Sequence, residues 1–388
     1  MADDPTTRVY DLAVVGAGIV GLAHAYAAAK RGKRVIVIDR DAQANGASVR
    51  NFGFVTVTGQ ERGQCWARAM RSRDVWTEVA DAAGICIEHA GLFVAARRPE
   101  AMRVLEAFMA TEMGQDCRLL AAADAQAHVP VLRLGSALGG LWSPHERRVE
   151  SRDAIPKLAA WLEAALGVVF LRSTLAKDVT PPRIETTRGT VFAEAAVVCP
   201  GHDFLSLFPD RLAAYRLTTC KLHMLRVQPE SHVRKLDCAV MSDLGLVRYL
   251  GYAALPEAQA LRVRLEAEQG SSLKHGIHLI AVRSADGSLV VGDSHHYGDT
   301  VDPFAPDEVD RLILDELDAV LDLGARKVTE RWVGTYASSP DRLMLIDQPA
   351  DNVRLVIVTS GTGASTAFAI GEEVIDDLFG NSKQEVPQ

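Results

Sequence analysis

Two rhythms of apolar and polar positions run along this chain. Residues 9–15 form a β-branched, apolar run that meets a glycine turn, and over 19–31 Ala and Leu recur at helical spacing until Gly32 ends the helix. Residues 34–38 form a second apolar strand closed by an acid, Asp39. Together these make a β-α-β unit of about 30 residues. Residues 48–59 read as a loop rich in Gly, Ser, Thr and Asn, well placed to touch a ligand, and 61–83 as a long helix. The pattern then predicts an amphipathic helix over 151–166 and two more strands of the first kind, 168–171 and 195–199, the latter stopping at Pro200 and Gly201. Segments 91–97, 221–227, 246–252, 277–283 and 288–291 predict strands of an antiparallel sheet, and 307–323 a helix. A final helix, 364–379, follows the turn Ser360-Gly361-Thr362-Gly363.

At 388 residues the chain exceeds what one hydrophobic core usually organises, so about two domains are expected. No repeat or low-complexity linker divides the two kinds of segment, so the domains interleave in sequence. Hydrophobic residues make up 48% and charged residues 24%, which excludes a largely disordered chain. The net charge of -8 gives no basic field for a phosphate backbone, so nucleic acid is not an expected partner. Cys65, Cys86, Cys117, Cys199, Cys220 and Cys238 show neither a C-x-x-C pair nor metal-ligand spacing with histidine, and read as reduced thiols. The N-terminus carries Asp3 and Asp4 where a secretory signal needs basic residues. No apolar run reaches the roughly 18 residues of a membrane span. A soluble, cytoplasmic protein is the expectation.

Gly16-Ala17-Gly18-Ile19-Val20-Gly21 fits G-x-G-x-x-G. In that pattern Gly16 makes the tight turn, Gly18 admits a pyrophosphate to the backbone, and Gly21 lets helix and strand pack closely. The helix opening there directs free N–H groups and a partial positive charge at phosphates. Asp39 is spaced to accept a hydrogen bond from a ribose hydroxyl. The glycines alone are a weak signal; strand, glycines, helix, strand and acid in order are a strong one. NAD and FAD share the adenosine diphosphate moiety, so the motif leaves open an NAD-dependent dehydrogenase and a non-catalytic nucleotide-binding protein.

Beyond this motif, Ala47-Ser48-Val49-Arg50-Asn51-Phe52-Gly53, Val197-Val198-Cys199-Pro200-Gly201, Gly334-Thr335-Tyr336-Ala337 and Thr359-Ser360-Gly361-Thr362-Gly363 bring in a resemblance. Nearly the whole chain resembles the D-amino-acid-oxidase-like superfamily, which includes glycine oxidase, sarcosine oxidase and D-amino-acid dehydrogenases. The resemblance implies an α/β plus α+β fold: a Rossmann-type FAD-binding domain over 1–85, 145–212 and 334–388, interleaved with an antiparallel-sheet substrate domain over 86–144 and 213–333. It also implies noncovalent FAD, since Gly334 stands where sarcosine oxidase attaches its flavin to a cysteine. The implied cofactor residues are Gly16, Gly18, Ile19, Val20, Gly21, Asp39, Arg40, Ser48, Arg50, Asn51, Phe52, Gly53, Leu175, Gly201, Gly361, Thr362, Gly363, Ala364 and Ser365. The helix after the closing glycines would offer its N-terminus to the flavin O2 region.

Tyr336 departs from the family's Gly-x-Arg-Pro, which removes the arginine fork that clamps an α-carboxylate. The segments Arg50-Asn51-Phe52-Gly53-Phe54, Lys221-Leu222-His223-Met224 and Gly292-Asp293-Ser294-His295-His296 resemble a branch associated with phosphonate catabolism. That resemblance implies oxidation of 2-aminoethylphosphonate, or its N-methyl form, to phosphonoacetaldehyde, with O2 or another acceptor reoxidising the flavin. The candidates facing substrate are Asn51, Lys221, His223, Tyr249, His295 and Tyr336. Each has a plainer alternative. Lys221 and His223 alternate with Leu222 and Met224, as the polar face of a half-buried strand would. Arg248 and Tyr249 would point to opposite faces of a strand, which favours one of them, Tyr249. His295-His296 without Cys or Glu at ligand spacing gives no support for a metal.

Overall fold

The computed structural model describes residues 8–380 except 134, 136 and 231–235; the acidic residues at the extreme N-terminus lie outside the described residues. Its first sheet is centred on Val9–Val15, which pairs in parallel with Val35–Ile38 on one side and Gly189–Val198 on the other. Val169–Leu171 extends the sheet beyond Val35–Ile38, and Val353–Val358 beyond Gly189–Val198, both in parallel. Met344–Ala350 closes the edge antiparallel, and the hairpin Ala176–Thr180 and Arg183–Thr186 packs on Gly189–Val198. These strands are apolar without alternation because both faces are covered. All four residues of Val35–Ile38 are buried.

Helices Ile19–Lys30, Gln64–Ala83, Ser151–Leu166 and Gly363–Phe379 cover one face. Phe368 anchors them, meeting the rings of Tyr26 at 5.7 Å and Trp76 at 5.2 Å edge-on. Gly371 permits the closest approach: a Cβ there would lie 2.9 Å from the Ala23 carbonyl. Register brings Val15 opposite Ile38 and Val198, so the parallel strands end level and their following turns meet at one edge. In such sheets the crevice beyond the strands' carboxyl ends is where ligands bind.

The second sheet has ten strands in the order His296–Gly298, Thr218–Pro229, Leu289–Gly292, Ile280–Arg283, Ala239–Met241, Ile87–Ala96, Gly139–Val149 and Phe54–Val55, with Arg326–Ser338 on the other side of Thr218–Pro229 and Arg118–Ala121 on Gly139–Val149. All pairings are antiparallel but one, Ala239–Met241 with Ile87–Ala96. The mixed α/β class read from the sequence is what the structure has. Gly139–Val149 and Arg326–Ser338 lie wholly in this sheet and run through residues 145 and 334, where domain limits were drawn.

The strand expected over 246–252 is absent. A 3-10 turn, Asp243–Val247, and a short helix, Leu250–Ala253, stand there. Gly251 explains part of the difference: a Cβ there would fall 2.4 Å from the Gln60 carbonyl oxygen, so the chain is pressed against the loop before Gln64.

Candidate functional site

A cavity of about 550 Å³ lies between the two sheets, within the several hundred Å³ usual for small-molecule sites. Gly16, Gly18, Ile19, Val20 and Gly21 line its first end, with Asp39, Arg40, Leu175 and Gly201. Gly16 adopts φ +105, and a Cβ there would sit 2.4 Å from the Cys199 carbonyl oxygen. At Gly21 a Cβ would lie 1.8 Å from the Gly16 carbonyl oxygen, so strand and helix touch only because no side chain intervenes. The helix begins at Ile19 with neither a side-chain cap nor an acid in its first turn. The Ile19 N–H donates to Ser48 Oγ at 2.9 Å, which ties the loop to the helix. Asp39 accepts from the Ala17 N–H at 2.5 Å and from the Asp41 N–H at 2.8 Å, so its carboxylate braces the glycine turn. Each of its two oxygens already accepts one backbone N–H. Arg40 turns to Asp203 at 2.9 Å.

Loop 47–53 crosses the middle of the cavity, where Ser48, Arg50, Asn51 and Phe52 line the wall. The Asn51 amide is committed to the loop itself: it donates to the Ala47 carbonyl at 2.6 Å and accepts from the Gly53 N–H at 2.6 Å and the Ser151 hydroxyl at 2.9 Å. These bonds shape the loop while the residue itself lines the cavity. Gly53 lies behind the wall and not in it, at φ +64, where a Cβ would fall 1.8 Å from the Val149 carbonyl oxygen. Gly361, Thr362, Gly363, Ala364 and Ser365 form the facing wall. The helix starting at Gly363 also has no side-chain cap and no acid in its first turn. A Cβ on Gly363 would lie 3.6 Å from Ile19 Cγ2, so two helix N-termini without an acid in their first turns adjoin one cavity.

The far end is polar and aromatic. Arg248, Tyr249, Tyr297, Tyr336, His278, Asp293 and His295 line it. Because the turn Asp243–Val247 runs straight into helix Leu250–Ala253, Arg248 and Tyr249 both face the cavity, where a strand would have separated them. Arg248 donates to the Tyr297 hydroxyl at 3.0 Å. The Tyr249 hydroxyl lies 3.3 Å from His278 Nε2, and His278 Nδ1 lies 3.3 Å from Asp293 Oδ1. His295 donates from Nδ1 to the Gly276 carbonyl at 2.8 Å, and its Nε2 stands 3.8 Å from Asp293 Oδ2. The His278 and His295 rings stack at 5.1 Å. Burial raises the Asp293 carboxyl to about 7, against the pull of the Arg248 guanidinium. Burial first, and the same guanidinium second, hold His278 and His295 well below the usual imidazole range.

Lys221 and His223 point away from this cavity, which corrects their assignment to substrate. Alternation along Thr218–Pro229 puts Leu222 on the cavity side and Lys221 and His223 on the back, toward helix Asp307–Val320. Lys221 donates to the Phe304 carbonyl at 2.8 Å and His223 Nδ1 lies 3.3 Å from Asp310 Oδ1. The same parity splits the histidine pair: His295 faces the cavity, while His296 meets His275 at 3.0 Å on the back. Sequence reading gave Asp293, His278 and Tyr297 no role. Two sequence signals touched Asp293: an acid closing the apolar strand Leu289–Gly292, and its place in the segment from Gly292 to His296 that carries the branch resemblance.

Residues 11–376 match the DAO family, described as FAD dependent oxidoreductase. Over 209 residues the chain is 25% identical to glycine oxidase of Geobacillus kaustophilus (strain HTA426), covering 50% of this chain and 55% of that protein. The match thus spans about half the length of that curated relative. The crystal structure of glycine oxidase from Geobacillus kaustophilus superposes with a TM-score of 0.75 at 20% identity, covering 95% of this chain and 94% of that one. L-proline dehydrogenase from P. horikoshii gives 0.76 at 19% identity, covering 94% and 92%. L-alpha-glycerophosphate oxidase from Mycoplasma pneumoniae, solved with FAD bound, gives 0.73 at 15% identity, covering 96% and 95%. These superpositions show a common fold, and with the family match over most of its length this chain belongs to the DAO family of FAD-dependent oxidoreductases.

Proposed function

We propose that this protein oxidises the C–N bond of a small amine bearing an acidic group, with noncovalently held FAD, to give an imine that water hydrolyses to a carbonyl compound and an amine. The observation that carries the reading is one cavity with two helix N-termini free of acids in their first turns, and Arg248 and Asp293 together at its other end. The residues fit FAD. Side chains at Gly16 and Gly21 would close the turn, so the cradle exists only as glycine, and Asp39 and Ser48 brace it. Gly16, Gly18 and the Ile19 helix would hold the diphosphate, Asp39 a ribose, and Gly361 to Ala364 the flavin ring. Bound FAD would supply the hydride acceptor. Among the described residues Cys199 is the one cysteine lining the cavity; burial pushes its thiol far up, and it lies beside Gly16 at the cradle end. Reoxidation by O2 or another acceptor is left to the kinetics.

At the other end the protein's task is to orient the amine and exclude water. Arg248 supplies a fork for the acidic group, with Tyr297 and Tyr336 beside it. We assign the substrate as 2-aminoethylphosphonate or its N-methyl form, on the resemblance to the phosphonate-associated branch and on three donor residues facing a group with three acceptor oxygens. Arg248 also favours a second reading, an α-amino carboxylate such as glycine, sarcosine or a D-amino acid, since it restores the cation that Tyr336 displaced. Anaerobic bleaching of the purified yellow protein separates them. Aminoethylphosphonates should reduce the flavin at least about a hundredfold more efficiently than glycine, sarcosine or D-alanine, because unmatched buried donors discriminate strongly. The reverse order would overturn the phosphonate assignment, and colourless protein unresponsive to FAD would overturn the cofactor.

A further inference from the structure

We infer that Asp293, paired with His295, takes the proton from the bound substrate's ammonium group. This rests on the amine reading above, since only the free amine releases hydride. The surroundings of Asp293 leave its carboxylate uncommitted. His295 donates from Nδ1 to the Gly276 carbonyl at 2.8 Å, so the neutral ring presents a lone pair at Nε2, 3.8 Å from Asp293 Oδ2. That gap is longer than a hydrogen bond, so the two atoms face each other unbonded. On the other side the Tyr249 hydroxyl lies 3.3 Å from His278 Nε2, and His278 Nδ1 stands 3.3 Å from Asp293 Oδ1 with no hydrogen bond between them. Asp293 Oδ1 is thus a buried oxygen without a hydrogen-bond partner among the described residues, on a carboxylate free to take a proton from a bound group. It is 4% exposed and lines the cavity.

The step balances. An N–H bond of the ammonium breaks, its electron pair stays on nitrogen, and an O–H bond forms on Asp293 Oδ2, with the lone pair of His295 Nε2 3.8 Å away. The groups facing Asp293 are Arg248, Tyr249, Cys220, His278 and His295. Burial lifts Tyr249 and takes Cys220 to about 11, and burial drives both imidazoles far down. Asp293, at about 7, is the member of this set that can change charge near neutrality. The three ligand-type atoms lie within 4.8 Å of one another, close enough for a divalent cation as well. Against that stands the Arg248 guanidinium facing the same carboxylate, a fixed positive charge where a cation would need a negative one.

The test is anaerobic stopped-flow reduction of the holoenzyme by 2-aminoethylphosphonate and by glycine, from pH 6 to 10, in wild type, Asp293→Asn and His295→Gln. An alkylammonium titrates near about 10, so without an internal acceptor the reactive fraction falls about tenfold per pH unit below that. Asp293→Asn should therefore reduce at least about a hundredfold more slowly than wild type at pH 7, with the gap closing to within about fivefold at pH 10. His295→Gln should show a smaller loss with the same convergence, and carries the test should the first variant not retain FAD. An equal loss at every pH, or a wild-type profile in both variants, would overturn the inference. So would stoichiometric zinc in the holoenzyme whose chelation abolishes reduction. If neither amine bleaches the wild type, the amine reading itself fails, a result distinct from an unchanged profile in the variants.

Discussion

Replacing Arg248 with methionine removes the one guanidinium that joins Asp293 and the tyrosines at the cavity's polar end. The stem length is kept and the charge is lost. An anionic group that loses a charged partner in a largely enclosed site costs roughly 3 kcal/mol, a factor of about 150 in kcat/KM. Arg248→Lys keeps the charge and loses the fork, so a drop nearer tenfold is expected. Lys221→Ala is the control. Its ammonium is spent on the Phe304 carbonyl behind the sheet, and kcat/KM should stay within about threefold of wild type. The assay is flavin bleaching under anaerobic conditions with 2-aminoethylphosphonate and with glycine, normalised to FAD released on denaturation. FAD content should match wild type in all three variants. Unaltered kcat/KM in Arg248→Met, or a larger loss in Lys221→Ala than in Arg248→Met, would refute the placement of the acidic group.

Gly21→Ala sets a Cβ 1.8 Å from the Gly16 carbonyl oxygen and should yield protein with less than about a tenth of the wild-type FAD, by absorbance, and a lower Tm; Gly32→Ala, at φ +74 but with nothing within 4 Å, should cost about 1 kcal/mol and keep its FAD. Burial holds His24 near 4, below its ordinary 6.5, so the unfolded chain binds a proton that the folded one refuses and stability falls as pH drops from about 6.5 toward 4. Denaturant titrations of His24→Leu over that window should show a slope shallower by about one proton. Arg98→Met leaves the fully buried Asp243 carboxylate with the Arg97 N–H but without its 2.8 Å guanidinium partner, and should lower unfolding stability by about 3 to 5 kcal/mol, much of it restored by adding Asp243→Asn.

The cradle was legible because its signal is local. Gly16, Gly18, Gly21 and Asp39 are spaced along one strand, turn, helix and strand, and each sits where that spacing implies. At the polar end the signal is dispersed. Arg248, His278 and Asp293 come from three separate segments, and nothing in their spacing says that they converge. Parity decided Lys221 and His223: a period of two says that they share a face, not which face looks at the ligand. Residues 246–252 failed for another reason, since their apolar run suits a strand while contact with the loop around Gln60 bends them into a turn. Gly139–Val149, with Pro144, Glu146, Arg147 and Arg148 in it, has no strand-like alternation, yet Arg148 is fully buried beside Glu150 at 3.0 Å.

The order of strands in the first sheet has a consequence for synthesis on the ribosome. Val35–Ile38 follows Val9–Val15 closely, but the other neighbour of Val9–Val15, Gly189–Val198, comes only after four of the ten strands of the second sheet have been made. Val353–Val358 and the Gly363 helix come later still. At ribosomal speeds the wait is on the order of tens of seconds. Throughout it an apolar strand edge stands open, the condition under which nascent chains are most exposed to mispairing and to chaperones. The glycine turn is made long before the wall that faces it, so cofactor capture waits for the Gly363 helix.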